Sequence, residues 1–428
     1  MGGVLRDGRI LTQQCRTQML PCEIRKKVGR TSDKRIGQGW SLVVGCEFRL
    51  HWQQVPRDAG KDRMSEIMDG RRGNLKNLTA IDLFCGCGGL THGLVNAGFQ
   101  VIGAVEIDRL AASTYCRNHP DVVIWESDIR ELNPNALKSQ LGIKNSLSLL
   151  AGCPPCQGFS RLRTRNGSRC TDDPRNDLLF EFERFAAAFR PHTLMMENVP
   201  SLVDDYRFSI FLDNIREMGY HGEYRILDAA DFRVPQRRKR MIFLASLHGE
   251  IPFSDPGTER ITVREAISHL ASPGSSGDPL HDMRSSHSDR ILEMIRMIPK
   301  DGGSRTSLPE SMWLECHRGK SGGFKDVYGR MAWDRVSPTI TSGCFNPSKG
   351  RFLHPEEDRA ITLREAAMLQ GFPEEYFFPV NNRSAVGRMI GNALPPPFIT
   401  AHAVSIRNFI LSHFQSKRNN HERRKTKR

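Results

Sequence analysis

Between Asn77 and Ser246, short apolar runs alternate with amphipathic stretches, the rhythm of βαβ units and a mostly parallel sheet. The runs predict strands over Thr79–Phe84, Val101–Glu106, Val122–Trp125, Leu147–Ala151 and Thr193–Glu197, then a hairpin over Tyr224–Asp228 and Arg240–Ala245. Leu178–Phe189 is amphipathic and stops before Pro191, which predicts a helix. Beyond Leu270 the periodicity fades, and residues 271–350 are rich in Gly, Ser and Pro. Helical texture returns over Thr362–Gln370 and Pro397–His413, the last helix being placed to pack back on the first domain. The pattern predicts a basic extension over 1–76, an α/β domain over 77–270, a smaller irregular domain over 271–384, a returning segment over 385–414 and a basic tail over 415–428.

Composition bounds the class. The chain has 428 residues, 38% hydrophobic and 26% charged, which suits a two-domain globular protein and is too apolar for a disordered one. It has no apolar run long enough to span a bilayer, and eleven cysteines with no secretory leader point to reduced thiols in a cytosol-like compartment. The net charge of +14 lies at the ends. Residues 1–76 hold 16 Lys and Arg against 8 Asp and Glu, the tail from Lys417 holds 7 against 1, and the middle is left with 39 of each sign. Those ends fit sequence-independent affinity for phosphates or solvated extensions equally well. Function must therefore be argued from the neutral middle.

Two loops there carry chemistry. Asp82-Leu-Phe-Cys-Gly-Cys-Gly-Gly-Leu90 follows the first strand and opens a helix, with glycines that let the backbone turn sharply and approach a ligand. Twenty residues after Gly86, Glu106 ends the second strand, placed to accept from ribose hydroxyls, and Asp128 at the end of the third is a further acceptor. A dinucleotide fingerprint would need glycine at position 91, which is threonine, so a cofactor without a pyrophosphate, such as S-adenosylmethionine, fits better. After the fourth strand, Gly152-Cys-Pro-Pro-Cys-Gln-Gly-Phe-Ser160 holds Cys156 behind two prolines that stiffen the turn. Cys153 and Cys156, with Cys85 and Cys87, invite a thiolate-metal or redox reading. Both pairs fall in loops with another use, so no metal is expected. Glu197 ends the fifth strand at the same edge, which suggests paired nucleophile and acid–base roles with Cys156. In Gln236-Arg-Arg-Lys-Arg240, strand alternation would turn Arg238 and Arg240 the same way as Gln236.

In order along the chain, Asp82-Leu-Phe-x-Gly-x-Gly-Gly, Pro154-Pro-Cys-Gln, Glu197-Asn-Val, Gln236-x-Arg-x-Arg, Arg364-Glu365 and Gly391-Asn-Ala393 resemble the DNA (cytosine-5)-methyltransferases, particularly the bacterial restriction–modification kind, over roughly residues 77–410. The resemblance implies a Rossmann-like, S-adenosylmethionine-dependent methyltransferase domain with a smaller target-recognition domain. It implies methyl transfer to carbon 5 of a flipped-out cytosine in double-stranded DNA, with Cys156 as nucleophile, Glu197 on N3 and the exocyclic amine, Arg240 on O2 and Arg238 supporting the loop. Phe84, Gly86, Gly88, Gly89, Glu106, Asp128, Pro155, Asn392 and Ala393 would line the S-adenosylmethionine site, with Ile107, Ile129 and Leu178 as apolar walls. Arg161–Arg175 resembles the family's mobile loop over the flipped base. By the same resemblance the protein is a bacterial, cytoplasmic enzyme, nucleoid-associated when bound to DNA. It would act as a monomer, with a cognate restriction endonuclease as functional counterpart. The rivals are a transfer-RNA cytosine-5 methyltransferase and an inactive DNA-binding relative. The DNA target sequence is not legible. The first 63 residues carry only a short likeness, over Gly39–Glu47, to the end of very-short-patch repair endonucleases.

Overall fold

The structure, a computed structural model, describes residues 78–144, 146–155, 177–283, 285–315 and 326–425, all within one compact unit. The N-terminal extension, Cys156, the segment Arg161–Arg175 and the last three residues of the tail lie outside the described residues.

Seven strands form one sheet: β1 (Leu78–Leu83), β2 (Phe99–Glu106), β3 (Val123–Glu126), β4 (Leu149–Gly152), β5 (Thr193–Asn198), β6 (His221–Asp228) and β7 (Lys239–Ser246). Their order is β3-β2-β1-β4-β5-β7-β6, with β1 to β5 parallel and β7 running antiparallel between β5 and β6. The α/β class and the closing hairpin read from the sequence are therefore present. Helices α1 (Gly89–Asn96), α2 (Arg109–Asn118), α3 (Pro134–Gln140), α4 (Leu178–Phe189) and α5 (Tyr206–Glu217) form the crossovers. α4 matches its sequence bounds. Leu178, Leu179, Phe182, Phe185, Ala186 and Phe189 turn one face to the sheet, and Arg190 ends the helix at φ 46° just before Pro191. The order reverses at β1 and β4, so the crevice a ligand enters lies at their carboxyl ends.

Two apolar clusters sandwich the sheet. One packs α4 and α5 on one face; the other sets Leu78, Leu90, Met195 and Ile242 against Phe398, Ile399, Ile406 and Ile410. The latter four lie on the last helix (Pro396–Lys425), which packs back on the sheet. A third cluster joins Val263 and Ile267 of α6 (Val263–Ile267) to residues 340–390 and to Cys87 and Ala111.

The first two N–H groups of α6 donate to the carbonyls of Arg335 and Trp333, which ties this helix to the irregular segment. The irregular segment carries the short helix α7 (Pro279–Asp282), then α8 (Asp289–Met297) and α9 (Leu363–Leu369), with 3-10 turns between them. It has few ladder bonds and uses buried arginine instead. The guanidinium of Arg330, fully buried, donates to the carbonyls of Ile295, Ile298, His354 and Glu357 and to the Asp358 carboxylate. One cation thus closes five acceptors that loops would otherwise leave unpaired. The chain returns through α10 (Arg383–Asn392) and α11 (Pro396–Lys425). α11 extends twelve residues past the sequence boundary at His413, because no glycine or proline interrupts the basic tail. Among the described residues no helix is long and apolar enough to cross a membrane.

Candidate active site

The glycine-rich loop begins where β1 ends. Phe84, Gly86 and Gly88 have positive φ (62°, 55° and 100°), so the chain turns back at once into α1. A Cβ on Gly88 would sit 2.6 Å from the Tyr376 hydroxyl, and one on Gly89 would sit 2.4 Å from the Leu394 carbonyl oxygen. Those glycines let α1 start against the residues that follow α10. Glu106 closes the loop from β2: its Oε2 accepts from the Gly86 N–H and its Oε1 from the Asp108 N–H, both at 2.8 Å. Burial raises its carboxyl while the two N–H groups oppose the rise. Each oxygen keeps a lone pair for a further donor. Next to it Ile107, an apolar side chain 64% exposed, lines a cavity of roughly 630 Å³.

The third acceptor differs from its sequence reading. β3 ends at Glu126, and Asp128 instead caps a 3-10 turn over Ile129–Glu131. Arg130 folds back on it, donating from Nε at 3.0 Å and Nη2 at 2.5 Å, and holds the Asp128 carboxyl below its usual range. Sequence reasoning missed Arg130, although its position two residues after a cap aspartate was the available signal.

Strand register assembles the other end of the cavity. Gly152 pairs with Met196, which puts Cys153 beside Glu197; Glu197 pairs with Ile242, which puts Arg240 on the diagonal of the same face. Glu197, only 3% exposed, has its Oε1 2.8 Å from Arg240 Nε and accepts from Cys153 Sγ at Oε2, 2.9 Å away. Asn198 donates from Nδ2 to the Pro154 carbonyl at 3.1 Å, which ties the proline turn to β5. Cys156 itself lies outside the described residues.

Arg238 and Arg240 hold different groups. β7 begins at Lys239, so Gln236 and Arg238 precede it and alternation does not hold across them. Arg238, buried, donates to the carbonyls of Ile340, Gly391 and Ala393. Gln236 donates to Leu369 O and Gln370 Oε1 and accepts from the Ile340 N–H. Arg238 clamps Gly391–Ala393 directly, and Gln236 supports the clamp through Gln370, whose Nε2 donates to the Ala393 carbonyl.

Phe84, Gly86, Gly89, Glu106, Ile107, Asp128, Ile129, Pro155, Leu178, Asn392 and Ala393 line the same cavity as Glu197, Arg238 and Arg240. Gly88 stands behind it, against Tyr376 and His119. The thiols of Cys85 and Cys87 are buried, that of Cys87 pushed up to about 12, and they point to the carbonyls of Gly86 and Met389 as protonated side chains. Arg364 and Glu365 are structural. The first donates to Asp278 and the Tyr376 carbonyl, and the second caps α9 and pairs with Arg359.

The model of the C-5 cytosine-specific DNA methylase family matches residues 78–408. The chain is 37% identical over 347 residues to the Type II methylase M.HgiDII of Herpetosiphon aurantiacus, covering 77% of this chain and 95% of the relative. It is 34% identical over 337 residues to the Type II methyltransferase M1.HphI of Haemophilus parahaemolyticus, covering 77% and 87%. Among solved structures, a DNA modification methyltransferase encoded within an Escherichia coli prophage superposes with a TM-score of 0.60 at 24% identity, over 78% of this chain and 99% of that one, and shares its fold. With the glycine loop, the carboxylate–arginine pair and the clamped last motif around one cavity, the chain belongs to the C-5 cytosine-specific DNA methylase family and is a DNA (cytosine-5)-methyltransferase.

Proposed function

We propose that the protein flips a cytosine out of duplex DNA and methylates its carbon 5 through a covalent bond between Cys156 and carbon 6, marking one short sequence against a cognate restriction endonuclease. The observation that carries the reading is the single cavity with Glu106 and Ile107 at one end and the Glu197–Arg240 pair at the other. Its size suits S-adenosylmethionine and a pyrimidine face to face. Glu106 would hold the ribose hydroxyls and Ile107 would cover the adenine. Asp128 is the acceptor for the adenine edge, with Arg130 holding its carboxylate ionised. S-adenosylmethionine supplies the methyl group.

Carbon 5 of cytosine is too weak a nucleophile to take that methyl unaided. Thiolate addition at carbon 6 makes it enamine-like and divides one hard step into easier ones. Negative charge then enters the ring, and Glu197, which takes up a proton as the base binds, donates it to N3 while its other oxygen accepts from the exocyclic amine. Arg240, 2.8 Å from that carboxylate, would bind O2. Arg238 would hold the segment Gly391–Ala393 in place through its bonds to the carbonyls of Gly391 and Ala393. Extruding the base costs a few kcal/mol of stacking and pairing, which phosphate contacts offset. Residues 271–384 supply the groove contacts that choose the sequence, and the enzyme acts as a monomer.

Incubation with labelled S-adenosylmethionine and, separately, duplex DNA and transfer RNA tests the reading. Label is expected as 5-methylcytosine at one short motif in DNA and absent with Cys156→Ala. DNA containing 5-fluorocytosine at that motif is expected to trap a covalent adduct, since the proton that must leave carbon 5 is missing. Label in transfer RNA alone would reassign the substrate, and methylation by Cys156→Ala at the wild-type rate would remove the covalent route.

A further inference from the structure

Glu197 has a second neighbour that the motifs of the family do not name. Cys153 is the first residue beyond β4, and its backbone N–H donates to the Leu83 carbonyl at 3.2 Å, so it is anchored to β1 on one side. On the other side its Sγ donates to Glu197 Oε2 at 2.9 Å. Oε2 is thereby hydrogen-bonded by the Cys153 thiol, while Oε1 lies 2.8 Å from Arg240 Nε in an ion pair that lacks hydrogen-bond geometry. A glutamate side chain has three rotatable bonds, and one partner alone leaves the carboxylate plane free to rotate about the bond to that partner. The thiol bond from the residue after β4 and the ion pair from β7 together fix the plane. The proposed reaction uses that plane, because N3 and the exocyclic amine of a flipped cytosine lie on one edge and must meet the carboxylate edge-on. Oε2 keeps a second lone pair while it accepts from the thiol, so Cys153 can stay in place when the base arrives.

We infer that Cys153 is a positioning residue for methyl transfer, its S–H holding the Glu197 carboxylate in the orientation that meets the cytosine edge. The inference rests on the proposed role of Glu197. It distinguishes the two thiols of the Cys153–Cys156 pair: one attacks the base, and the other aligns the group that neutralises it.

Three substitutions separate hydrogen bonding from packing. Cys153→Ser keeps a donor, Cys153→Val fills the space without one, and Cys153→Ala does neither. Single-turnover methylation of duplex DNA and equilibrium binding of S-adenosylmethionine are measured on the full chain. Losing a hydrogen bond to an ionised group predicts single-turnover rates roughly tenfold to a hundredfold lower for the Val and Ala variants, with cofactor affinity held within about twofold and the Ser variant within about threefold of wild type. The Val and Ala variants at the wild-type rate would overturn the inference. So would a Ser variant no faster than Val, or a loss of cofactor binding that parallels the loss of rate, either of which assigns the thiol to packing. Glu197→Gln is the companion measurement. If it abolishes methylation while Cys153→Val does not slow it, only the inference fails. If Glu197→Gln is fully active, the reading of the base pocket fails with it.

Discussion

Asp82 sits fully buried at the end of β1, in the motif that opens the cofactor loop, yet touches no part of the cavity. Its Oδ2 accepts from the Thr91 hydroxyl at 2.7 Å; since that hydroxyl's proton is used there, the Tyr115 hydroxyl, 2.8 Å away, donates to Thr91. The chain Tyr115–Thr91–Asp82 links α2, α1 and β1 behind the glycine loop. Oδ1 has no partner among the described residues. Burial pushes the carboxyl up to about 8, so near neutral pH the buried group is mostly a protonated acid. The sign follows from linkage. The folded chain holds this proton up to about pH 8, while an unfolded aspartate releases it near 3.8, so stability is fully present below that lower value and is lost as pH rises through the folded one. Asp82→Asn mimics the protonated form at every pH. Between pH 6 and pH 9 the wild-type Tm is therefore expected to fall relative to that of the variant, by several degrees at roughly 2–4 °C per kcal/mol. A gap between the two that is constant across that range would refute the assignment.

At the scale of elements, the cofactor loop depends on how closely α1 approaches the chain leaving α10. Gly89 is not strained at all; its need is space, since a Cβ there would lie 2.4 Å from the Leu394 carbonyl oxygen, a backbone atom that cannot swing aside. Gly89→Ala must part α1 from residues 392–394 and so open the wall between the first and last motifs. Overpacking of this kind costs about 1–3 kcal/mol, and S-adenosylmethionine affinity is expected to drop at least about tenfold. Gly142→Ala is the control, because position 142 has a positive φ of 61° but nothing within 4 Å of its would-be Cβ, and it lies outside the cavity. Calorimetric titration should show wild-type binding for Gly142→Ala and weakened binding for Gly89→Ala; equal affinities would mean that α1 adjusts freely. The glycine motif was legible in the sequence because its spacing is local. What it could not reveal was which glycine is held by conformation and which by a carbonyl more than 300 residues away. The same limit explains Arg238 and Arg240. Their alternation was visible, but β7 begins only at Lys239, paired with Asp228, and the β5–β7 register decides which arginine reaches Glu197. Cys153 was passed over for the same reason: its place beside Glu197 follows from the β4–β5 register, while its sequence neighbours point to Cys156.

Across the whole molecule, strands and crossover helices were readable because each buries a periodic face in one of two clusters flanking the sheet. Residues 271–384 were not, because their order comes from buried side chains such as Arg330 and leaves little period in the sequence. Burial also sets the response of the whole fold to pH. His402, packed among Phe232, Phe253 and Phe398 with neither ring nitrogen partnered among the described residues, is pulled down to about 4. His119 is pulled down to about 4 by burial and by His92, and His248 to about 4 by burial and by its neighbours His413, His192 and Lys417. Tyr376 gives its hydroxyl proton to the Cys87 carbonyl, so His119 donates to it from Nε2, as a neutral ring does. Each of these imidazoles stays neutral in the folded chain while its unfolded counterpart binds a proton near 6.5. Stability from this source is present above pH 6.5 and is lost as pH falls toward 4. Asp82 acts in the opposite sense, with loss continuing up to about 8. The two trends cross. Thermal melts of the full chain from pH 4.5 to pH 9 should show a maximum Tm near pH 6.5, with the steeper fall on the acid side, where several imidazoles held neutral by burial take up protons, and a shallower fall on the basic side, where Asp82 loses its proton. A Tm that climbs steadily to pH 9 would show that the buried carboxyl does not keep its proton. A flat acid limb would show that the imidazoles are not held neutral by the core.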